Sequence, residues 1–146
     1  MSEGEAVVRS VYERWNRDPA AFAAAVASGD LEREEMALDL FDPEVEMQQT
    51  SLMLDTAGTF HGHEGMRRAA QEFLDAFGTI EWVTEQWRED RGWVIVTLRL
   101  VARGGRSGIE TDTRVAHAWR VRDGRVTDFR AYPSAKQAIA DVAPSG

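Results

Sequence analysis

The stretch that decides the fold is Trp93-Val94-Ile95-Val96-Thr97-Leu98-Arg99-Leu100-Val101-Ala102-Arg103, residues 93–103. Its β-branched and aromatic content suits a strand, where side chains point to opposite faces with a period of two. Val94, Val96, Leu98, Leu100 and Ala102 share one face; Trp93, Ile95, Thr97, Arg99 and Val101 share the other. A half-wet antiparallel strand alternates apolar with polar. Here both faces need cover. The aliphatic row is expected on the outer face, covered by a second copy of the chain in a homodimer. The mixed row is expected to face inward, where a few polar groups among apolar walls make a ligand site. More extensive helix packing is the alternative cover.

Working outward from this strand, the pattern on both sides is also extended. Strands are predicted over Thr79–Trp87, Ile109–Val121 and Arg125–Tyr132. Their turns are Asp90–Gly92, Gly104–Gly108 and Asp123-Gly124, the last a strong hairpin signal. In the Ile109 strand, Thr113, Val115, His117, Trp119 and Val121 fall on one face. Upstream, Glu44–Gln49 alternates, with Val45, Met47 and Gln49 on one side. Between them a loop with Gly58 and Gly62 leads into a helix whose stripe is Met66, Ala69, Ala70, Phe73, Leu74 and Phe77, stopped by Gly78.

The beginning of the chain is helical. Ser2 and Glu5 form a capping box ahead of Val8, Val11, Tyr12 and Trp15. Asp18-Pro19 starts a short alanine-rich helix that ends at Gly29. Asp30 is expected to cap a third helix with Leu31, Ala37, Leu38 and Phe41, stopped at Asp42-Pro43. Ser134 and Gln137 open a final short helix. Helices first and a meander of long strands last imply an α+β domain spanning residues 1–146.

Composition narrows the function classes. The formal net charge of −8 and the lack of a basic run argue against nucleic acid as a partner. No apolar stretch approaches the length of a membrane span, and Met1–Trp15 shows no signal-peptide pattern, so no membrane partner is expected and a cytoplasmic location is. With no cysteine there is no disulfide framework and no thiol nucleophile. His61-Gly62-His63-Glu64 invites a metal reading, but no further ligand follows at a useful spacing, and the segment doubles as a helix start. Neither a metal nor another cofactor is expected.

His117, the only histidine in a predicted strand, is the acid–base candidate, because imidazole donates, accepts and titrates near neutral pH. Its alternative is a structural histidine bonded to a neighbour. Arg99, placed on the same face, would orient an anionic or carbonyl ligand; its alternative is an ion pair with Glu34 or Glu35.

Several short motifs, in order, carry a resemblance. They are Leu38-Asp39-Leu40-Phe41-Asp42-Pro43-Glu44-Val45, Phe60-His61-Gly62-His63-Glu64-Gly65, Trp119-Arg120-Val121-Arg122-Asp123-Gly124-Arg125-Val126, and Ala131-Tyr132-Pro133-Ser134 with Gln137-Ala138. Together the chain resembles the SnoaL-like branch of the nuclear-transport-factor-2-like superfamily. The resemblance implies a curved antiparallel sheet wrapped around N-terminal helices, a cystatin-like cone with one internal pocket. It implies Tyr12, Trp15 and Met47 as pocket walls and turns Phe129 and Ala131 inward. The carboxylate of SnoaL-like cyclases falls on Ala131 and the basic aspartate of ketosteroid isomerases on Met47, so neither mechanism carries over. The second isomerase acid maps near His117. The fold hosts many functions. Three readings follow: a homodimeric pocket protein binding a small, largely apolar organic molecule; a cofactor-independent isomerase, cyclase or hydrolase using His117; and an association module without a ligand.

Overall fold

In the computed structural model, residues 1–30, 32, 34–49, 58–104, 108 and 110–143 are described. The elements run α1 (Glu3–Arg17), α2 (Pro19–Ser28), two 3₁₀ turns (Glu34–Met36 and Leu38–Leu40), β1 (Phe41–Gln49), β2 (Gly58–His61), α3 (Gly62–Phe77), β3 (Thr79–Asp90), β4 (Trp93–Arg103), β5 (Thr111–Arg122), β6 (Arg125–Tyr132) and α4 (Ala135–Val142). The strands form one curved, unclosed sheet in the order β2-β1-β6-β5-β4-β3. All neighbours are antiparallel except β1 and β6. This is the expected α+β cone.

Local chemistry sets the ends of the elements. The Ser2 hydroxyl accepts from the Glu5 N–H, the Asp18 carboxylate from the Ala21 N–H, and the Ser134 hydroxyl from the Gln137 N–H. Each satisfies one of the orphan donors of a helix start. The glycines of His61-Gly62-His63-Glu64-Gly65 have separate reasons. Gly62 adopts φ 72°, which lets the chain turn from β2 into α3. At Gly65 a Cβ would lie 3.1 Å from the Phe60 carbonyl carbon, so only glycine lets α3 approach β2 this closely.

The third helix expected from Asp30 is replaced by the two 3₁₀ turns, with Ala37 between them at φ 58°. Phe41 belongs to β1, and Asp42-Pro43 lies inside that strand at a register irregularity. A proline is tolerated where ladder pairing is interrupted. Leu31, Gly105–Ser107 and Ile109, named in the expected helix, turn and strand, lie outside the described residues. Strand β2, expected as loop, pairs with the second half of β1.

The β4 faces are reversed from the expectation. Val94, Val96, Leu98, Leu100 and Ala102 lie in the main core with Val8, Tyr12 and Trp119. Register explains it: Val94 pairs with Trp119, Val96 with His117 and Leu98 with Val115, while Thr97 pairs with Ala116 and Arg99 with Arg114. Directly paired residues share a face. The most apolar row therefore takes the driest side, and a second copy does not cover it.

The apolar part of the outer face is covered from within the chain. Trp93, Ile95, Ala116, Ala118 and Tyr132 pack under Ala138, Ile139 and Val142 of α4. The two alanines leave room for a helix to approach the sheet. Beyond α4 the outer face is ionic, with Arg99 paired to Asp112 at 2.7 Å and Arg114 to Glu85 at 2.8 Å. Among the described residues no helix is long and apolar enough to cross a membrane.

Candidate functional site

A cavity lies between the inner face of the sheet and the helices. Its volume is about 50 Å³. The sheet contributes Met47 from β1, Ile80 and Trp82 from β3, His117 from β5, and Phe129 and Ala131 from β6. Helix α3 closes it with Met66, Ala69 and Phe73, and Trp15, Phe22 and Met36 close the other side. Gln49 is the other polar residue on the wall; no Asp, Glu, Lys or Arg is found there among the described residues.

Three hydrogen bonds made by two side chains of α1 fix the aromatic wall. Asn16 of α1 pairs with the Trp82 backbone in both directions, its amide donating to the carbonyl at 2.7 Å and its carbonyl accepting from the N–H at 2.8 Å. This ties α1 to the edge strand β3 and holds Trp82 over the cavity. The Trp15 indole N–H donates to the Met36 carbonyl at 3.3 Å, joining α1 to the first 3₁₀ turn.

His117 is 2% exposed. Its ring is enclosed by Tyr12, Trp82, Trp119 and Phe129, with centroids 4.7 Å away at Phe129 and 5.3 Å at Trp82. Tyr12 Oη lies 2.6 Å from His117 Nδ1, and the Trp119 indole N–H donates to the same hydroxyl at 3.0 Å. An indole can only donate, so the hydroxyl accepts from Trp119; a phenol oxygen can accept twice, and sending its own proton to Nδ1 is the arrangement that leaves that proton partnered. That leaves the imidazole proton on Nε2. The result is a chain of donors with one direction, Trp119 to Tyr12 to His117, ending in an Nε2–H on a ring that borders the cavity.

Burial holds this chain neutral. It pushes the His117 pKa down to about 3 and raises that of Tyr12 well above the ordinary phenol range. The expected titration of His117 near neutral pH is therefore corrected: the ring is uncharged throughout the physiological range, and its Nδ1 is already occupied. It offers a fixed donor rather than a proton acceptor.

Trp15, Met47, His117 and Phe129 line the cavity, while Tyr12 stands directly behind His117. Arg99 does not reach it. The Arg99 side chain, 39% exposed on the outer face, forms a two-pronged ion pair with Asp112. The reason is register, which puts Arg99 on the side of Ala116 rather than His117. Trp82, Met36 and the α3 residues join the wall beyond those expected; the α3 stripe is visible in the sequence, and so is Gln49 on the face of Met47. Met47 and Ala131, where the resemblance would place carboxylates, are apolar positions on the cavity wall. His61 instead faces Glu44 at 3.0 Å, and His63 donates to the Phe41 carbonyl at 3.0 Å. Among the described residues no group of three or more potential metal ligands is gathered.

Comparison with known proteins adds a family and a fold. A family model described as SnoaL-like domain matches residues 19–129. No curated protein matches the chain. Among solved structures, TerC co-crystallised with polyporic acid is 19% identical, with 99% of this chain and 100% of that one aligned at a TM-score of 0.70. A nuclear-transport-factor-2-like protein of unknown function from Burkholderia pseudomallei is 19% identical over 98% of this chain and 99% of that one, at a TM-score of 0.68. A protein with a ketosteroid isomerase-like fold from Catenulispora acidiphila, in complex with trimethylamine, is 12% identical over 86% and 83%, at 0.62. At these identities the likeness is one of fold.

Proposed function

The chain belongs to the SnoaL-like domain family, and on that premise we propose that its cavity binds one uncharged, largely apolar organic molecule through a hydrogen bond from His117 Nε2–H. The observation that carries this reading is the neutral donor chain ending on an aromatic wall. A ligand entering here leaves water without meeting a charged side chain, which disfavours ions strongly and a neutral molecule hardly at all. Because Nε2 donates, the ligand presents an acceptor, such as a carbonyl or ether oxygen. Solved structures of the same fold with polyporic acid and with trimethylamine support a small-molecule role. As a general base His117 is unsuited, so any chemistry here would use it as a fixed donor to developing negative charge on oxygen.

The test is quenching of intrinsic tryptophan fluorescence by acetophenone, since Trp15 and Trp82 lie on the wall. Wild type is expected to bind saturably. His117→Phe keeps the ring and removes the donor, so affinity is expected to fall on the order of tenfold. Equal affinity in the variant would show that the donor plays no part. We further propose that self-association uses the outer face beyond α4, where Val83, Thr97 and Val101 stand among the Arg99–Asp112 and Arg114–Glu85 ion pairs. Val101→Glu is expected to sediment as a monomer where the wild type sediments as a dimer.

A further inference from the structure

A second hollow adjoins the cavity. It is bordered by Phe73 and Phe77 of α3, Leu100 of β4, Thr113, Arg114 and Val115 of β5, and Pro133, and has a volume of about 100 Å³. It lies along the same face of β5 as the cavity, because Val115 and His117 are two residues apart on the inner row. Phe73 is the one described residue that lines both spaces. Its ring sits between them, 5.6 Å from Trp82 on the cavity side and 4.6 Å from Phe77 on the hollow side.

We propose that this hollow is a tail subsite for the molecule held at His117, reached past the Phe73 ring. The inference rests on the binding reading above and refines its ligand class: an uncharged molecule with a flat, acceptor-bearing head and an unbranched apolar tail. Three observations carry it. Phe77, Leu100, Val115 and Pro133 give the hollow an apolar side that rewards methylene groups, while Thr113 and Arg114, both exposed, supply its polar part. It continues the inner cavity along one strand. And the two spaces share the Phe73 side chain, the one described residue that lines both.

A series of phenyl ketones, acetophenone, butyrophenone and octanophenone, tests this by tryptophan quenching. In wild type, affinity is expected to rise with tail length, by roughly threefold to fourfold for each methylene buried. Thr113 is exposed at the rim, so Thr113→Trp fills the hollow from the solvent side and leaves the core residues that wall it unchanged. That variant should bind acetophenone within about twofold of wild type and lose most of the gain for octanophenone. Saturable acetophenone binding with no gain along the series, or a gain that survives Thr113→Trp, overturns the tail subsite and leaves the head site standing. Absence of binding by every ketone overturns the head site and the tail subsite together.

Discussion

The two faces of the sheet handle polar groups in opposite ways. On the inner face His117 is desolvated, enclosed by four aromatic rings and kept neutral by burial. On the outer face Arg99 and Arg114, directly paired across β4 and β5, stay charged and solvated, each answered by its own carboxylate. Like charges directly opposite repel. Asp112 and Glu85 relieve that, and the bulge that leaves Glu85 unpaired in β3 helps bring it to Arg114. Only a few ångströms of backbone separate the faces. The environment of a polar residue is therefore set by its register against the next strand, and its own strand's alternation is not enough to assign it.

The sharpest way to break this comparison is to put a charge on the dry side. Leu98 is fully buried. Leu98→Arg places an unpaired guanidinium in the main core, at a cost of several kcal/mol. Set against a typical domain stability of about 5–15 kcal/mol, that should abolish or nearly abolish folding. The variant is expected to be insoluble or to lack a cooperative thermal transition by circular dichroism. A soluble variant that melts like wild type would mean that Leu98 faces outward.

This substitution also shows what was legible in the sequence. Period-two counting separated the two rows of β4 correctly, yet assigned them to the wrong sides. Strand alternation says which residues go together and nothing about which row lies beside His117. That depends on pairing across a turn that includes residues outside the described set. The polar row looked like a site because Thr97 and Arg99 break the apolar run; burial follows hydropathy, so the purely aliphatic row won the interior. The 3₁₀ turns after α2 are similarly hidden, since apolar residues at helical spacing do not show that Ala37 takes a left-handed backbone. By contrast, the caps at Ser2, Asp18 and Ser134 and the Asp123-Gly124 hairpin are local chemistry, and local chemistry reads directly from sequence. At the site, His117 stood out as the one strand histidine, but its partner Tyr12 is 105 positions away in sequence and only the fold brings them together.

The next comparison is between two tyrosines. Tyr12→Phe leaves the Trp119 indole N–H and His117 Nδ1 without their buried partner. Each unsatisfied group costs about 1–3 kcal/mol. On the outer side Tyr132 Oη bonds to Asp141, whose side chain is 52% exposed and is re-solvated when the hydroxyl goes. Urea denaturation is expected to show a clearly larger loss for Tyr12→Phe than for Tyr132→Phe. Equal losses would mean that the inner chain is no drier than the outer contact.

Acid sharpens the comparison further. In the folded chain His117 takes up a proton only near pH 3, whereas unfolded it does so near its ordinary value of 6.5. Between those values the unfolded state binds more protons, so stability is complete above about 6.5 and is lost as pH falls toward 3. The slope from this one group is at most about 1.4 kcal/mol per pH unit. The carboxylates of Asp39 and Asp112 are held below their ordinary values by Arg14 and Arg99, so their contributions are lost at lower pH, as their folded forms protonate. Denaturation measured from pH 7 to pH 4.5 therefore isolates His117 best. His117→Phe is expected to flatten the decline over that interval. An unchanged slope would place the imidazole in water.

The smallest effect expected is at Arg99, and its smallness is the point. Arg99 and Asp112 are 39% and 55% exposed, so water screens their attraction and re-solvates whichever partner remains. Arg99→Met removes that ion pair, but it also removes the repulsion from Arg114 directly opposite. The two changes act in opposite directions, and neither reaches the cavity, which lies on the other side of the sheet. Thermal unfolding and acetophenone binding are both expected to match wild type, with a slight change in stability at low salt that fades as salt is added. If instead Arg99→Met weakened ketone binding as His117→Phe is expected to, the guanidinium would have to lie on the ligand side of β4. Val96 and Leu98 would then have to face outward, and the division between a dry inner face and an ionic outer one would be reversed.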